Sequence, residues 1–153
     1  MDGTLLRKDK TVSERTKKAI EDAREKGVTV VLATGRPIDG VTRYLEELDM
    51  YGENDYVLSY NGGLVLKTKD REPICKIGLT GEDLHYLYEI SKDLGVNIHA
   101  FSETKGLITP KNSKYTEVEA NINNININIE DFNKLEKEHS IIKIMMIDEE
   151  EVL

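Results

Sequence analysis

Two segments in the first half of the chain place apolar residues at the spacing of an α-helix. The first begins after Ser13, whose hydroxyl can cap free amide groups, and ends at Gly27, which tolerates a left-handed backbone. The second begins at Pro37, a residue that suits the first turn of a helix. The apolar spacing therefore predicts helices over residues 13–26 and 37–48.

Strand patterns follow each of these helices. Residues 28–33 form a nearly continuous apolar and β-branched run, which is typical of a central strand covered on both faces in a parallel sheet. Shorter runs over 56–59 and 64–66 flank an Asn-Gly turn pair, and another run over 74–77 follows a polar stretch. With a strand also expected before residue 1, the alternation predicts an α/β fold with a parallel sheet that is closed by a hairpin.

The pattern changes near Thr80, which has capping-box spacing with Asp83 at the start of a predicted helix that ends at Gly95. Beyond this helix the spacing predicts, in chain order, strand 96–101, strand 107–109, helix 113–120, helix 130–138 and strand 141–147. We therefore expect a partial parallel-sheet core over residues 1–79. Residues 80–153 should form part of an α+β unit with the character of an inserted cap.

One biased segment, residues 121–129, alternates isoleucine with asparagine along most of its length. Asn-rich tracts are disordered or prone to aggregation in some proteins. Because a repeat of two is the spacing of a half-buried strand, we favour an ordinary strand with its isoleucine face toward the core.

Composition limits the classes of function. Acidic residues number 29 against 21 basic ones, so the formal charge of −8 repels polyanions and nucleic-acid binding is not expected. No apolar run reaches the roughly 18 residues of a membrane span and no export signal opens the chain, so we expect a cytoplasmic protein without a membrane partner. The single cysteine, Cys75, fits a reducing compartment and excludes an intramolecular disulfide.

Small polar motifs occur at three places, each at the start of the chain or directly after a predicted strand. Asp2 and Gly3 open the chain, Thr34 and Gly35 follow the predicted strand 28–33, and Asn61 follows the next strand. Open α/β sheets bind ligands at the carboxyl ends of their strands, and the start of the following helix favours an anion, so Thr34 is a candidate phosphate contact. Read without function, the same motifs are a frayed terminus, a helix start and a hairpin turn.

Taken together, the motifs resemble the N-terminal part of the haloacid dehalogenase superfamily, in the form of its Cof-like sugar phosphatases. The matching segments, in the family's order, are Met1-Asp2-Gly3-Thr4-Leu5-Leu6, Thr34-Gly35-Arg36-Pro37, Tyr60-Asn61-Gly62-Gly63 and Lys143-Ile144-Met145-Met146-Ile147-Asp148-Glu149. The first of these resembles the family's Asp-x-Asp-Gly-Thr motif with only the second aspartate present. The likeness therefore extends along essentially the whole chain.

The resemblance implies a role for each matching residue. Asp2 would be the acid/base, and its backbone carbonyl would be a ligand of Mg²⁺. Thr34 would bind phosphoryl oxygens, with Gly35 and Arg36 beside it, and Asn61 could contact the substrate. The implied reaction is magnesium-dependent hydrolysis of small phosphate monoesters, sugar phosphates above all, through an aspartyl-phosphate, with a small phosphorylated metabolite as partner and a cap that sets the substrate.

The chain also departs from the family pattern. The attacking aspartate would lie one residue before Met1. The family's lysine and its Gly-Asp-x-x-Asn-Asp segment are not found after the cap-like region. We therefore expect this chain to be a truncated part of a phosphatase and inactive by itself, with an unpaired edge on strand 28–33. The alternative is a degenerate, non-catalytic remnant that binds phosphate or a protein partner.

Overall fold

A computed structural model describes residues 1–150 and shows an α/β fold. The chain divides into two compact units, Met1–Lys76 and a second that begins at Ile77. Within residues 1–150, no helix is both long and apolar enough to cross a lipid bilayer.

The first unit contains two helices and a four-stranded sheet. Its elements are α1 (Glu14–Glu25), β1 (Val31–Ala33), α2 (Asp39–Glu47), β2 (Tyr56–Ser59), β3 (Leu64–Lys67) and β4 (Pro73–Lys76). The strands lie in the order β1-β2-β3-β4, with β1 and β2 parallel and the other pairs antiparallel. The predicted parallel pair and closing hairpin are therefore confirmed.

The first unit corrects the prediction for residues 28–33. Only the last three residues form a strand, because pairing with β2 begins at Val31, opposite Tyr56. Val28 is 54% exposed, and β1 lies at the edge of the sheet with a single neighbour among the described residues. A central strand covered on both faces was therefore wrong for this chain, whereas the expected unpaired edge is present.

The start of the chain also differs from a strand. The carbonyl of Met1 accepts hydrogen bonds from the amides of Thr4, Leu5 and Leu6, so the first residues form tight turns. Gly3 has φ +70°, a left-handed conformation that glycine adopts without steric cost. These turns bring the carboxylate of Asp2 back toward the sheet.

One apolar cluster holds the first unit together. Helix α2 buries one face against β2 and β3, with members of the cluster that include Val41, Tyr44, Leu45, Val57 and Leu66. Ser13 caps α1 as predicted, since its hydroxyl accepts a hydrogen bond from the amide of Thr16 at 3.0 Å. Helix α2 begins at Asp39, two residues later than Pro37, which leaves an extended loop between β1 and the helix.

The second unit is an α+β arrangement with its own core. Its elements are α3 (Gly81–Leu94), β5 (Asn97–Ser102), β6 (Gly106–Thr109), α4 (Lys114–Asn123), β7 (Ile127–Ile129) and β8 (Ile141–Ile147). The sheet order is β7-β6-β5-β8, and only β6 and β7 run parallel. The Thr80–Asp83 capping box is present, and Gly95 ends α3 at φ +69°.

Two predictions for this unit were wrong. Residues 121–129 are not one strand: α4 continues to Asn123, Asn124 turns in a left-handed conformation, and only Ile127–Ile129 is extended. Residues 130–138 contain a short 3₁₀ turn, Phe132–Lys134, instead of a helix. Phe132 and Leu135 both pack into the core from this turn, so a spacing of three residues is satisfied without a longer helix.

Candidate functional site

Two loops meet at the carboxyl ends of the parallel strands β1 and β2. The amide of Thr34 donates to the carbonyl of Leu58 at 2.9 Å, which extends the pairing of the strands by one residue. The amide of Asn61 then donates to the carbonyl of Thr34 at 3.0 Å, and the amide of Tyr60 donates to the carbonyl of Arg36 at 3.0 Å. The structure thus brings the second and third motifs together at the edge where α/β sheets bind ligands.

Arg36 connects this pair of loops to Asp2. Its Nη2 lies 2.9 Å from Asp2 Oδ1 and its Nε lies 3.1 Å from Oδ2, a two-point contact between guanidinium and carboxylate. Lys10 Nζ lies 2.7 Å from the same Oδ1. Arg36 is 6% exposed, whereas the side chain of Asp2 remains 44% exposed. The five residues predicted from sequence therefore all lie in the first unit, at or beside this network of hydrogen bonds: Asp2, Thr34, Gly35, Arg36 and Asn61.

The two cations determine the protonation of Asp2. Hydrogen bonds from Arg36, and then from Lys10, hold the pKa of the Asp2 carboxyl well below its usual range, and they outweigh the opposing effect of partial burial. Asp2 is a carboxylate at every pH near neutrality. In this arrangement Asp2 has no proton to donate, and the two cations make it a weak proton acceptor.

Thr34 uses its hydroxyl within the loop. Thr34 Oγ1 accepts a hydrogen bond from the amide of Arg36 at 3.2 Å, a local turn of the kind that Ser and Thr favour. The residue that precedes α2 as its N-cap is Ile38, so Thr34 does not cap the helix. A hydroxyl that accepts one bond still carries a proton to donate, which is what a phosphoryl oxygen requires.

Gly35 allows Asn61 to approach the loop closely. A Cβ atom at position 35 would lie 2.5 Å from Asn61 Oδ1, which is closer than atoms can pack. The facing loop has three consecutive positive φ angles: Tyr60 at 50°, Asn61 at 58° and Gly62 at 97°. Asparagine and glycine adopt this conformation readily, but tyrosine does so at a cost of about 1–3 kcal/mol, and such strain clusters at functional sites.

Sequence reasoning missed Lys10 at this site. Its backbone is held in a left-handed conformation at φ 65°, and its carbonyl accepts a hydrogen bond from the hydroxyl of buried Tyr44 at 3.1 Å. A lone lysine in a polar turn has no distinguishing pattern, and only the return of the chain toward Asp2 gives it a role. The helical pattern of α2 predicts that Tyr44 is buried, but it does not indicate that the hydroxyl of Tyr44 bonds to Lys10.

Two expectations agree less well with the structure: anion binding at the start of α2, and the implied magnesium site. Asp39 puts a carboxylate in the first turn of α2, where the free amides would otherwise favour an external anion. Among residues 1–150, no three His, Cys, Asp or Glu side chains are grouped to hold a metal ion. The described part of the chain therefore does not group enough side-chain ligands for the implied magnesium site.

Comparisons with known proteins show the family of the chain. A family described as haloacid dehalogenase-like hydrolase matches residues 1–153. The candidate phosphatase YxeH of Bacillus subtilis is 39% identical over 155 residues, which cover all of this chain and 57% of YxeH. A candidate phosphatase of Streptococcus pyogenes is 37% identical over 158 residues, again with all of this chain and 57% of the relative covered.

A solved structure gives the same fold. The crystal structure of a haloacid dehalogenase-like hydrolase from Bacteroides thetaiotaomicron superposes with a TM-score of 0.75 at 30% identity. The match covers 86% of this chain and 50% of the other. The chain thus spans a little over half the length of the curated relatives that it matches.

Proposed function

We propose that this chain, which belongs to the haloacid dehalogenase-like hydrolases, supplies the phosphate-binding part of a phosphatase active site. In the complete protein, Thr34, Gly35, Arg36 and Asn61 would bind the phosphoryl group of a small phosphate monoester. Asp2 would act as the acid/base of hydrolysis through an aspartyl-phosphate.

One observation carries this proposal. Three motifs that are far apart in sequence converge: the β1 loop bonds to the β2 loop through the amide of Asn61, and Arg36 reaches Asp2 with two hydrogen bonds. A helix start and a hairpin turn have no reason to converge on a buried arginine paired with a half-exposed carboxylate. A phosphatase site uses both features, because the cation offsets the charge of the phosphoryl group and the carboxylate takes part in proton transfer.

The contacts of Asp2 suggest how substrate binding and proton transfer are coupled. A phosphate dianion at Thr34 would compete with Asp2 for the donors of Arg36 and Lys10. Losing those donors would raise the pKa of the Asp2 carboxyl toward its ordinary value, so Asp2 would bind a proton more readily than it does while it is paired with both cations. In the absence of phosphate the same donors keep Asp2 ionised and in place.

Magnesium is proposed as the cofactor of the complete protein. Its contribution there would be to offset the negative charge of the phosphoryl group. Within this chain, the backbone carbonyl of Asp2 is the one ligand that we assign to it.

We also propose a substrate class and a role for each of the two units. We assign residues 1–79 to the catalytic core and residues 80–153 to part of a cap that selects the substrate. The partner would be a small phosphorylated metabolite of the sugar-phosphate class, encountered in the cytoplasm. The net charge of −8 argues against a nucleic-acid partner.

The experiment compares this chain with a version extended at both ends by the nucleophile strand and the later motifs. We expect the chain alone to show negligible magnesium-dependent hydrolysis of p-nitrophenyl phosphate, because it lacks the attacking carboxylate. The extended version should turn over, and Asp2→Asn should slow it by about 10²- to 10⁴-fold through loss of proton transfer.

Asp9→Asn is the matched control. Asp9 lies in the same loop, but its carboxylate bonds only locally, to the amide of Thr11 at 3.1 Å and to the hydroxyl of the same residue. Its replacement should leave turnover within a factor of about two, as expected for a surface change away from the chemistry. Robust turnover by the chain alone, or equal effects of the two substitutions, would refute the proposal.

A non-catalytic phosphate-binding remnant is the second candidate. The pairing of Asp2 with both cations favours it, because a permanently ionised Asp2 cannot protonate a leaving group. An extended version that binds inorganic phosphate but does not turn over would select this candidate.

A further inference from the structure

Strand β7 leaves one edge of the second sheet open. β7 is the last strand of that sheet among the described residues, and it pairs only with β6. The amide of Glu130 donates to the carbonyl of Thr109 at 3.0 Å, and Ile129 is the register partner of Thr109. In a parallel ladder with this register, the backbone groups of Asn128 face β6, so those of Ile127 and Ile129 face outward.

The outward edge carries none of the usual protections except its short length. Proteins commonly place lysine, other charges or proline on open edges to prevent pairing with another chain. Edge strand β4 contains Pro73 and Lys76, and β8 contains Lys143. Residues 124–129 include only asparagine and isoleucine. The Asn/Ile run that stands out in the sequence thus forms an unprotected edge of the second sheet, as β1 does of the first sheet.

Apolar side chains are exposed beside this edge. Ile129 is 60% exposed, although it lies in a strand. Val118 and Ile122 are one turn apart on α4, the helix that precedes β7 and contacts it, and they are 55% and 48% exposed. The edge therefore offers main-chain hydrogen bonds together with apolar area.

We propose that a second copy of this chain docks on β7, strand against strand, in an antiparallel arrangement with a two-fold axis at Asn128. In that register Ile127 of each copy lies opposite Ile129 of the other. The outward amides and carbonyls of these residues then form four hydrogen bonds across the axis. A two-fold axis at Ile127 would instead pair Ile125 with Ile129 of the other copy. The amide of Ile125 is not available for that pairing, because it already donates to the carbonyl of Ala120.

Charge is compatible with a self-pairing edge. Glu130, at the end of the strand, forms an ion pair with Lys105 of its own chain at 2.8 Å. The proposed register places Glu130 opposite the uncharged Asn126 of the other copy, so no like charges meet. The net charge of −8 on each copy opposes association at long range, and salt screens this repulsion. The dimer should therefore strengthen as salt is added.

Sedimentation velocity over a dilution series tests the association. The wild-type chain should shift from monomer to dimer as concentration rises. Ile129→Pro removes one outward N–H and leaves the β6 ladder intact, since that ladder uses Asn128 and Glu130, so the dimer should be lost. Ile129→Val keeps the N–H and the β-branched shape and should retain it. A wild-type chain that stays monomeric throughout would overturn the proposal.

A second open edge, that of β1, provides a control for location. Val31→Lys places a charge on β1 and should leave the dimer unchanged. If Val31→Lys abolished association while Ile129→Pro did not, the contact would lie on β1 and the proposal would be wrong.

Cross-linking tests the register even if the proline variant is poorly folded. In a Cys75→Ser background, Asn128→Cys should form a disulfide-linked dimer, since Asn128 faces its own mate about 4.5 Å away between Cα atoms. Asn126→Cys is the matched control, because the register separates it from its mate by four residues, roughly 13 Å. Equal cross-linking at both positions, or none at Asn128, would contradict the proposed pairing.

Discussion

At the scale of single residues, the pairing of Asp2 with Arg36 and Lys10 is the main chemical feature of the chain. A carboxylate that is 44% exposed gains little from an ordinary surface ion pair, so the pairing alone contributes little to stability. Arg36 is different, because its guanidinium is buried and needs an anion nearby. Asp2 supplies that anion in this structure. We propose that, during function, a phosphoryl group also binds the guanidinium of Arg36.

Thr34→Val tests the hydroxyl at the centre of the two loops. The change removes an acceptor for the Arg36 amide, so we expect the free energy of unfolding to fall by about 0.5–1.5 kcal/mol. If the hydroxyl also donates to a phosphoryl oxygen, the extended protein should lose roughly ten- to a hundredfold in turnover. Chemical denaturation and a phosphatase assay measure the two effects separately.

Thr34→Ser is the control, because serine keeps both the acceptor and the donor. It should preserve most of the turnover and most of the stability. A Thr34→Val protein that is destabilised but fully active would assign the hydroxyl to the loop alone.

These residues show what sequence could predict of the site. Asp2, Thr34, Gly35, Arg36 and Asn61 were found by their motifs and lie together. The ion pair between Arg36 and Asp2 could not be predicted, because it depends on a turn around the carbonyl of Met1. Lys10 was missed for the same reason.

At the scale of elements, helix α4 packs across β5 through a buried polar contact. His99 on β5 is fully buried, and its Nδ1 lies 3.2 Å from the hydroxyl of Thr116 on α4. Burial, and then the charge of Lys143, lowers the pKa of His99 to about 4. The folded second unit therefore holds a neutral imidazole.

This burial makes stability depend on pH. Because the folded pKa is about 4 and the unfolded one about 6.5, the unfolded chain binds more protons between these values, and stability falls as pH drops through that window. We expect the free energy of unfolding to be about 2 kcal/mol lower at pH 5 than at pH 7. In a His99→Gln variant most of this difference should vanish. Urea unfolding at both pH values provides the comparison. If the variant lost as much unfolding free energy between pH 7 and pH 5 as the wild-type chain, the assignment to His99 would be wrong.

Elements with strong local signals were predicted well. The capped helix α3 and the strand β8 appear where their patterns placed them. The segment 130–138 failed because two apolar residues at helical spacing needed only one turn to reach the core. The Asn/Ile run failed in its first half because α4 continues until Asn124 turns left-handed.

At the scale of the whole molecule, a phosphate site has to overcome the acidic character of the chain. A formal charge of −8 repels a dianion at long range, so binding depends on local cations. Arg36 and Lys10 provide such a positive patch at the ends of β1 and β2. The fold class and the position of Arg36 after β1 followed from the sequence, whereas the contribution of Lys10 and the edge position of β1 did not.

Titration of the chain with inorganic phosphate, followed by two-dimensional amide NMR, tests the central claim most directly. It asks whether the converged loops bind phosphate without requiring turnover. We expect saturable changes in the amide chemical shifts of four residues, which chloride at the same ionic strength does not reproduce: Thr34, Gly35, Arg36 and Asn61. Absence of shifts at these four residues, or equal shifts with chloride, would contradict it.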